Sequence, residues 1–292
     1  MSLVFHRQSA PCLLCGSAKI SRSRLIKGYT IVDCARCGLR YVQDRVREDE
    51  IMRYYQHDYF LPGDDPTNGY EDYFLIRKER EKTFRLYLKK ALGHVARFEE
   101  VLDIGCGAGY FLNAAKPYFH HLTGVDVSPD ALARADSSFN LVCSDFHAGL
   151  FPAGHADLIM LCDVIEHVYH PKDFLGEVRK VLHPQGIACI ITPNRSSLLA
   201  RLTGKRYVSY KLPEHVSYFD PRTLAMALGE AGLEMITWHT CGQYATIDYV
   251  GRRVSSLLFG KREALPIPRF LGERTFHVNT GSMLVLARHI RP

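Results

Sequence analysis

The run Val101-Leu102-Asp103-Ile104-Gly105-Cys106-Gly107-Ala108-Gly109, with Asp126 closing the next apolar run, constrains this chain more than any other feature. An apolar strand that gives way to closely spaced glycines predicts a sharp turn into a helix, and glycine backbone lets a ligand come close. A carboxylate about 20 residues further on is placed to grip ribose hydroxyls. The pair therefore predicts a site for a nucleoside-bearing cofactor. The dinucleotide fingerprint G-x-G-x-x-G brings a helix N-terminus to a pyrophosphate, whereas Gly105, Gly107 and Gly109 read G-x-G-x-G. The third glycine is out of register for a dinucleotide.

From residue 99 onward, strand and helix patterns alternate as an α/β sheet requires. Strands are expected near 100–104, 122–126, 141–145, 157–162, 187–192, 233–240 and 282–289. Ser128 with Pro129 behind it reads as an N-cap and first helical residue, and Pro171 leads into Phe174, Leu175, Val178, Val181 and Leu182 at helical spacing. The chain has 292 residues, 47% of them apolar, enough for one large domain plus a small one. No apolar stretch is long enough to span a bilayer and no signal-like segment opens the chain, so the expected location is cytoplasmic.

Nine cysteines are present, and four of them form a pattern. Cys12-x2-Cys15 and Cys34-x2-Cys37 lie eighteen residues apart, and Gly16 and Gly38 follow the two pairs. This is zinc-ribbon spacing, and four thiolates make a closed, structural site with no open coordination position. Cys106, Cys143, Cys162, Cys189 and Cys241 sit on or beside apolar runs, where a thiol packs as a small hydrophobe or borders the cofactor.

Residues 1–47 hold nine Lys or Arg against Asp33 and Asp44, an excess of +7 beside +6 for the whole chain. Such a ribbon either presents a patch to phosphate-bearing partners or docks an ordinary solvated face onto the main domain. Residues 48–98 read as a helical connector rich in aromatics: Tyr54, Tyr55, Tyr59, Phe60, Tyr70, Tyr73 and Phe74. Phe84, Tyr87, Leu88, Ala91 and Leu92 then recur at helical spacing before Gly93. The tyrosines either pack between ribbon and main domain or line a substrate pocket.

V-L-D-I-G-C-G-A-G resembles motif I of the class I S-adenosylmethionine-dependent methyltransferases. That resemblance covers about 99–290 and implies a seven-stranded Rossmann-like sheet, its last strand antiparallel, carried here behind a small N-terminal zinc ribbon. The expected organisation is a ribbon at 1–47, a connector at 48–98 and a methyltransferase domain at 99–292. The ribbon and connector together resemble a branch of bacterial sugar and secondary-metabolite methyltransferases. Residue by residue, the resemblance puts Gly105, Gly107 and Gly109 around the methionine part of S-adenosylmethionine, Asp103 on its amino group and Asp126 on both ribose hydroxyls. It puts Asp145 on the adenine amino group, Phe146 beside the ring, and Cys162 and Asp163 on the sulfonium side.

Asp157 to Val168 resembles the D-x-x-E-H-V stretch of the branch that includes ubiquinone-pathway O-methyltransferases. Asp163, Glu166 and His167 there either hold a divalent metal, as in some relatives, or pair as helix neighbours. The Asn/Asp-Pro-Pro-Tyr/Phe signature of many base-amino methyltransferases is absent from this strand exit, which disfavours exocyclic adenine or cytosine methylation.

Two long excursions remain, 193–222 and 241–281. The first has the character of a lid and carries Pro213-Glu214-His215; His215, titrating near neutrality by type, is the candidate general base or a pin for the lid. Lys205, Arg206 and Lys211 in that loop are available to a phosphate or carboxylate. The second excursion, with Tyr244, Tyr249, Phe259 and Phe270, completes the pocket or forms a homo-oligomer surface. The leading reading is methyl transfer to a small molecule, with a nucleotide-linked sugar or polysaccharide precursor as the acceptor class. The alternatives are an RNA methyltransferase gripping RNA through the basic ribbon, and a non-catalytic or protein-directed module. The methylated atom, O, N or C, stays open.

Overall fold

Alternation along the strands builds the centre of the molecule. Leu102, Ile104, Ile159, Leu161, Ala188 and Ile190 fall in one apolar cluster, while Val101, Leu158, Met160, Cys189 and Ile191 fall in another. Side chains two apart on a strand share a face, so the sheet is buried on both sides, the arrangement of a parallel sheet under two helical layers. The computed structural model describes residues 6–57, 76–259, 272 and 274–290.

Strands β1 (Arg7–Ser9), β2 (Ile20–Ile26), β3 (Tyr29–Cys34), β4 (Arg40–Val42) and β5 (Asp44–Val46) make up the N-terminal ribbon. Helices α1 (Glu48–His57) and α2 (Arg77–Leu92) follow. Then come β6 (Glu100–Ile104), α3 (Tyr110–Ala115), β7 (His121–Asp126), α4 (Pro129–Leu132), β8 (Asn140–Cys143), β9 (Ala156–Cys162), α5 (Pro171–Val181) and β10 (Leu182–Pro193). The chain continues through α6 (Leu198–Thr203), β11 (Ser217–Tyr218), α7 (Pro221–Glu230), β12 (Leu233–Thr246), α8 (Ile247–Phe259) and β13 (Thr275–His289). Seven strands form the main sheet in the order β12-β13-β10-β9-β6-β7-β8, with β13 antiparallel to both neighbours. Helices α2 and α3 supply Phe84, Tyr87, Leu88, Phe111 and Leu112 to one face; α5 and α7 supply Leu175, Val178, Leu224 and Leu228 to the other.

Local signals account for most helix starts. Ser128 accepts a hydrogen bond from the Ala131 N–H, and Asp220 caps α7 in a reciprocal box with Thr223. Helix α2 does end at Gly93, but that residue keeps a right-handed φ of −65° and is not a left-handed stop. Several strands differ in extent from expectation. β8 ends at Cys143, so Asp145 stands on the loop beyond it. β10 begins at Leu182, where pairing to Ala156 extends it before a bulge. β12 and β13 run on into 241–281 as a long hairpin, because Gly242 sits at a bulge where a Cβ would lie 1.9 Å from the Val278 carbonyl oxygen.

The ribbon is joined to the main domain rather than tethered to it. β4 pairs with β11 of the 193–222 excursion, so a strand from that segment completes the ribbon's sheet, ordered β11-β4-β3-β2. Cys12, Leu14, Val32, Leu39 and Tyr41 belong to the same apolar cluster as α5 and α7. Ion pairs follow the seam. Asp33, with a side chain 11% exposed, takes Arg40 Nε at 2.7 Å and Arg24 Nη2 at 3.0 Å; Arg195 lies 3.6 Å from Asp33 and pairs with Asp220 at 2.6 Å.

Burial alone would raise the Asp33 pKa, yet hydrogen bonds from Arg40 and Arg24 hold it below the ordinary 3.8. A depressed carboxylate stabilises the fold fully above its unfolded value and loses that contribution as pH falls through the folded value. Asp33→Asn leaves Arg24 and Arg40 without their anion, and should cost about 2–3 kcal/mol in denaturant unfolding at neutral pH. The gap between variant and parent should close as the pH is lowered below 3.8.

Candidate functional site

A cleft of about 390 Å³ opens at the C-terminal ends of β6, β7 and β9. The glycine turn forms its floor. Gly105 has a φ of +75°, its N–H and that of Cys106 donate to the Val125 carbonyl, and a Cβ at 105 would lie 2.7 Å from Val164 Cγ2. The Gly107 N–H donates to Asp126 Oδ2 at 2.7 Å and the Ser128 N–H to Oδ1 at 2.9 Å. Both Asp126 oxygens are thus fixed by backbone donors and keep lone-pair capacity toward the cleft that the residue lines.

Burial dominates the electrostatics. It raises Asp126 despite the N–H groups of Ser128, Gly107 and Val127, and it raises Asp103 further, with the Asp126 charge adding to the effect. Asp145 is exposed at the rim, and Phe146 is buried edge-on to Phe174 at 5.7 Å. Cys162 and Asp163 line the cleft where β9 ends; Asp163 takes a φ of +55°, with its N–H on the Ile191 carbonyl. Asp103, Gly105, Gly107, Asp126, Asp145, Phe146, Cys162 and Asp163 all border this one cavity. Gly109 does not; it stands at the N-cap of α3.

The opposite wall combines α1, α2 and the strand exit. Met52, Tyr55, Arg80 and Phe84 line it beside His167. Tyr55 Oη lies 2.8 Å from His167 Nδ1, and the His167 and His215 rings meet edge to face at 4.7 Å. His215 is buried and does not line the cleft; His167 stands at the wall instead. Glu166, also buried, accepts from the Thr192 hydroxyl through Oε2. Lys205 and Arg206 are exposed and contribute nothing to the cleft lining. Tyr59, Phe60, Tyr70, Tyr73, Phe74 and Phe270 lie outside the described residues.

Two clusters have the chemistry of metal ligands among the described residues. The sulfurs of Cys12, Cys15, Cys34 and Cys37 all lie within 4.8 Å of one another, with Cys12–Cys37 and Cys15–Cys34 both at 3.5 Å. Zinc bound at ~2.3 Å needs thiolates ~3.8 Å apart, which this set fits. The second cluster is Glu166, His167 and His215. Asp163, expected beside Glu166 and His167, is replaced in it by His215.

With this geometry established, comparison with known proteins places the chain. A family described as methyltransferase domain matches residues 76–237. This chain belongs to the class I S-adenosylmethionine-dependent methyltransferases. The methyltransferase is similar to proteins named ubiquinone biosynthesis O-methyltransferase. The one from Thiobacillus denitrificans is 28% identical over 151 residues, 47% of this chain and 65% of the relative. That from Aromatoleum aromaticum is 31% identical over 150 residues, covering 47% and 64%. That from Azorhizobium caulinodans is 30% identical over 190 residues, covering 59% and 75%. The chain thus spans just under two thirds of the first two relatives.

Solved structures share the fold. A chain of a Haloferax volcanii complex between a methyltransferase and its activator superposes with a TM-score of 0.55 at 17% identity, covering 75% of this chain and 94% of that one. A Bacillus halodurans methyltransferase gives 0.50 at 17% identity, covering 71% and 98%.

The missed residues had weak signals. Arg80 sits in a helix whose periodicity marks a core face and says nothing of a cleft; Tyr55 is among the tyrosines for which packing and pocket lining both stand open in the sequence, and it lines the cleft; His167 is expected only as a metal ligand or a helix neighbour. Burial lowers His167 to about 3 from 6.5, with the Lys211 charge adding to it, and lowers His215 well below 6.5 with help from His167. Unfolded histidine takes up its proton near 6.5, so the methyltransferase should lose stability as pH falls from there toward 3. Ring ¹⁵N shifts should show the His167 imidazole neutral down to about pH 4; a titration near 6.5 for either ring would contradict this.

Proposed function

We propose that this methyltransferase moves the methyl group of S-adenosylmethionine to a hydroxyl of a small-molecule acceptor. The observation that carries the reading is Asp126: a carboxylate with both oxygens fixed by backbone N–H groups at the lip of a glycine turn, facing a cavity of cofactor size. S-adenosylmethionine supplies an already activated sulfonium methyl, so the protein's work is to align the acceptor and take its proton.

In this reading Asp126 holds both ribose hydroxyls, the turn from Gly105 to Gly109 wraps the methionine part, and Asp103 meets the amino group. Asp145 accepts from the adenine amino group with Phe146 beside the ring, and Cys162 and Asp163 face the sulfonium. The proton acceptor is His167, at the cleft wall and kept neutral by burial. His215, first expected as the base, is here a positioning residue that backs His167. Tyr55 orients His167 through Nδ1, and the aromatic wall with the 193–222 excursion keeps bulk water out.

An oxygen acceptor is favoured by the neutral imidazole wall and by relatives named for O-methylation. A nucleotide-linked sugar or polysaccharide precursor is the class carried by the resemblance of ribbon, connector and Pro213-Glu214-His215 loop; the relatives' names add a quinone precursor as its rival. RNA draws less support, since Arg24 and Arg40 are engaged with Asp33 and Arg45 is buried.

One observation favours a second reading of the wall. Glu166 Oε1, His167 Nε2 and both His215 nitrogens are buried without a hydrogen bond of good geometry. These three residues fit a divalent cation, which would supply positive charge to an acceptor oxygen. Electron paramagnetic resonance with Mn²⁺ distinguishes the readings: a bound signal abolished by Glu166→Gln supports the cation. We infer also that the four ribbon cysteines hold one structural zinc. Elemental analysis should find one zinc per chain, and Cys34→Ser should lose it together with thermal stability.

Calorimetry with S-adenosylhomocysteine should show binding weakened on the order of 100-fold by Asp126→Ala, about what loss of two charge-assisted hydrogen bonds costs. Labelled methyl transfer into sugar-nucleotide and phenolic acceptor panels should identify the class. His167→Ala should lower kcat by roughly 10²–10⁴ with cofactor affinity kept. Label entering only a nuclease-sensitive polymer would overturn the small-molecule reading.

A further inference from the structure

From Arg195 to Pro213 the chain carries Arg195, Arg201, Lys205, Arg206 and Lys211 and no carboxylate. Arg195 is engaged at the seam, while Arg201, Lys205 and Arg206 are exposed. Between them lies an unusual set of apolar side chains. Leu198 is 71% exposed, Leu202 77% and Val208 42%. Leu198 and Leu202 are four apart on α6 and share one face, with Arg201 on the same helix and Lys205 and Arg206 on the turn that follows it.

This outward face is held in place. Leu199 and Ala200 pack from the other side of α6 against a cluster containing Ile26 of the ribbon and Tyr207, Tyr210 and Tyr218. Ser197 caps the helix by accepting the Ala200 N–H, and Thr203 bonds back to the Leu199 carbonyl. Rotating the leucines inward would expose Leu199 and Ala200 and give up the ribbon contact. Single exposed apolar side chains need no explanation; two leucines locked outward on one short helix and bracketed by cations have the pattern of an interfacial segment.

We infer that this face of the 193–222 excursion rests on an anionic lipid surface. Leu198, Leu202 and Val208 enter the boundary of the acyl chains, and Arg201, Lys205 and Arg206 meet headgroup phosphates. A six-residue helix lies in such a surface and does not cross it. Charge argues against the other occupants. A two-fold contact between copies of this chain would bring together two cationic patches that hold no carboxylate. Nucleic acid would meet aliphatic side chains where stacking needs aromatic ones. The inference does not depend on the acceptor, since it concerns where the protein sits. It has a consequence for the cleft all the same: one continuous segment holds both the lipid-facing leucines and His215.

Co-sedimentation of the full chain with vesicles tests it. The protein should pellet with phosphatidylcholine vesicles containing about a third phosphatidylglycerol, remain in solution with phosphatidylcholine alone, and be released as salt shortens the screening length. Replacing Lys205 and Arg206 by Gln should weaken partitioning about 25-fold, a factor near five for each cation at the surface. Leu198→Ser with Leu202→Ser should weaken it by at least about tenfold. These side chains are exposed, so unchanged thermal unfolding and unchanged S-adenosylhomocysteine affinity should accompany the loss. No binding to anionic vesicles, equal binding to neutral ones, or binding indifferent to the leucine pair would each overturn the assignment. Concentration-dependent association abolished by the leucine pair, with no vesicle binding, would make the face a contact between copies.

Discussion

Val216 is the point on which the arrangement depends. Its carbonyl accepts the Val42 N–H from the ribbon at 2.9 Å, and its own N–H donates to the Glu166 carbonyl at the exit of β9. One residue therefore connects three distant pieces of chain: a ribbon edge strand, the segment carrying His215, and the strand exit carrying His167. A sheet edge is an open row of donors and acceptors that must be paired or covered, and here the ribbon's edge is closed by the segment that backs the cleft. A ribbon this small has too little core to fold firmly without help. It takes that help from the apolar cluster it shares with the main domain, and the four cysteine sulfurs are gathered within 4.8 Å of one another at its other end. The ribbon in turn gives the excursion a rigid template, with Tyr218 and Tyr210 packed into its sheet and Arg40 donating to the Tyr210 hydroxyl.

What was legible in the sequence was what short-range geometry dictates. A strand ending in Gly105 and Gly107 with Asp126 behind it is a local statement about backbone and pairing, and the cleft lies where those residues led. The two Cys-x2-Cys knuckles are local in the same sense. Hidden were the features decided by distant partners. Whether Tyr54 or Tyr55 faces the cleft depends on how α1 lies against the β9 exit, since both are plausible on either side of a helix. His215 carried more apparent promise than His167 because it sits in a loop, yet the loop folds inward and leaves His167 in front. A two-residue strand such as β11 has no pattern of its own and exists only because β4 offers an edge. The expected strands stop at 240 and resume at 282, whereas Gly242 serves as a bulge that lets the β12–β13 pairing continue into the excursion.

The electrostatic state of the cleft follows from the same burial. Asp103, Asp126 and Glu166 are pushed up while His167 and His215 are pushed down, so all five move toward their neutral forms. Each group alone resists charging because water is excluded, and Asp103 resists more because ionised Asp126 stands beside it. A ligand bearing a sulfonium and an ammonium reverses that balance on one side of the cleft, since two cations make ionised Asp126 and Asp103 favourable again. On the other side the imidazoles gain nothing from such a ligand, whose positive charge keeps them deprotonated. A dry cleft of this kind holds its carboxylates ready to charge when a cation arrives while its imidazoles stay neutral.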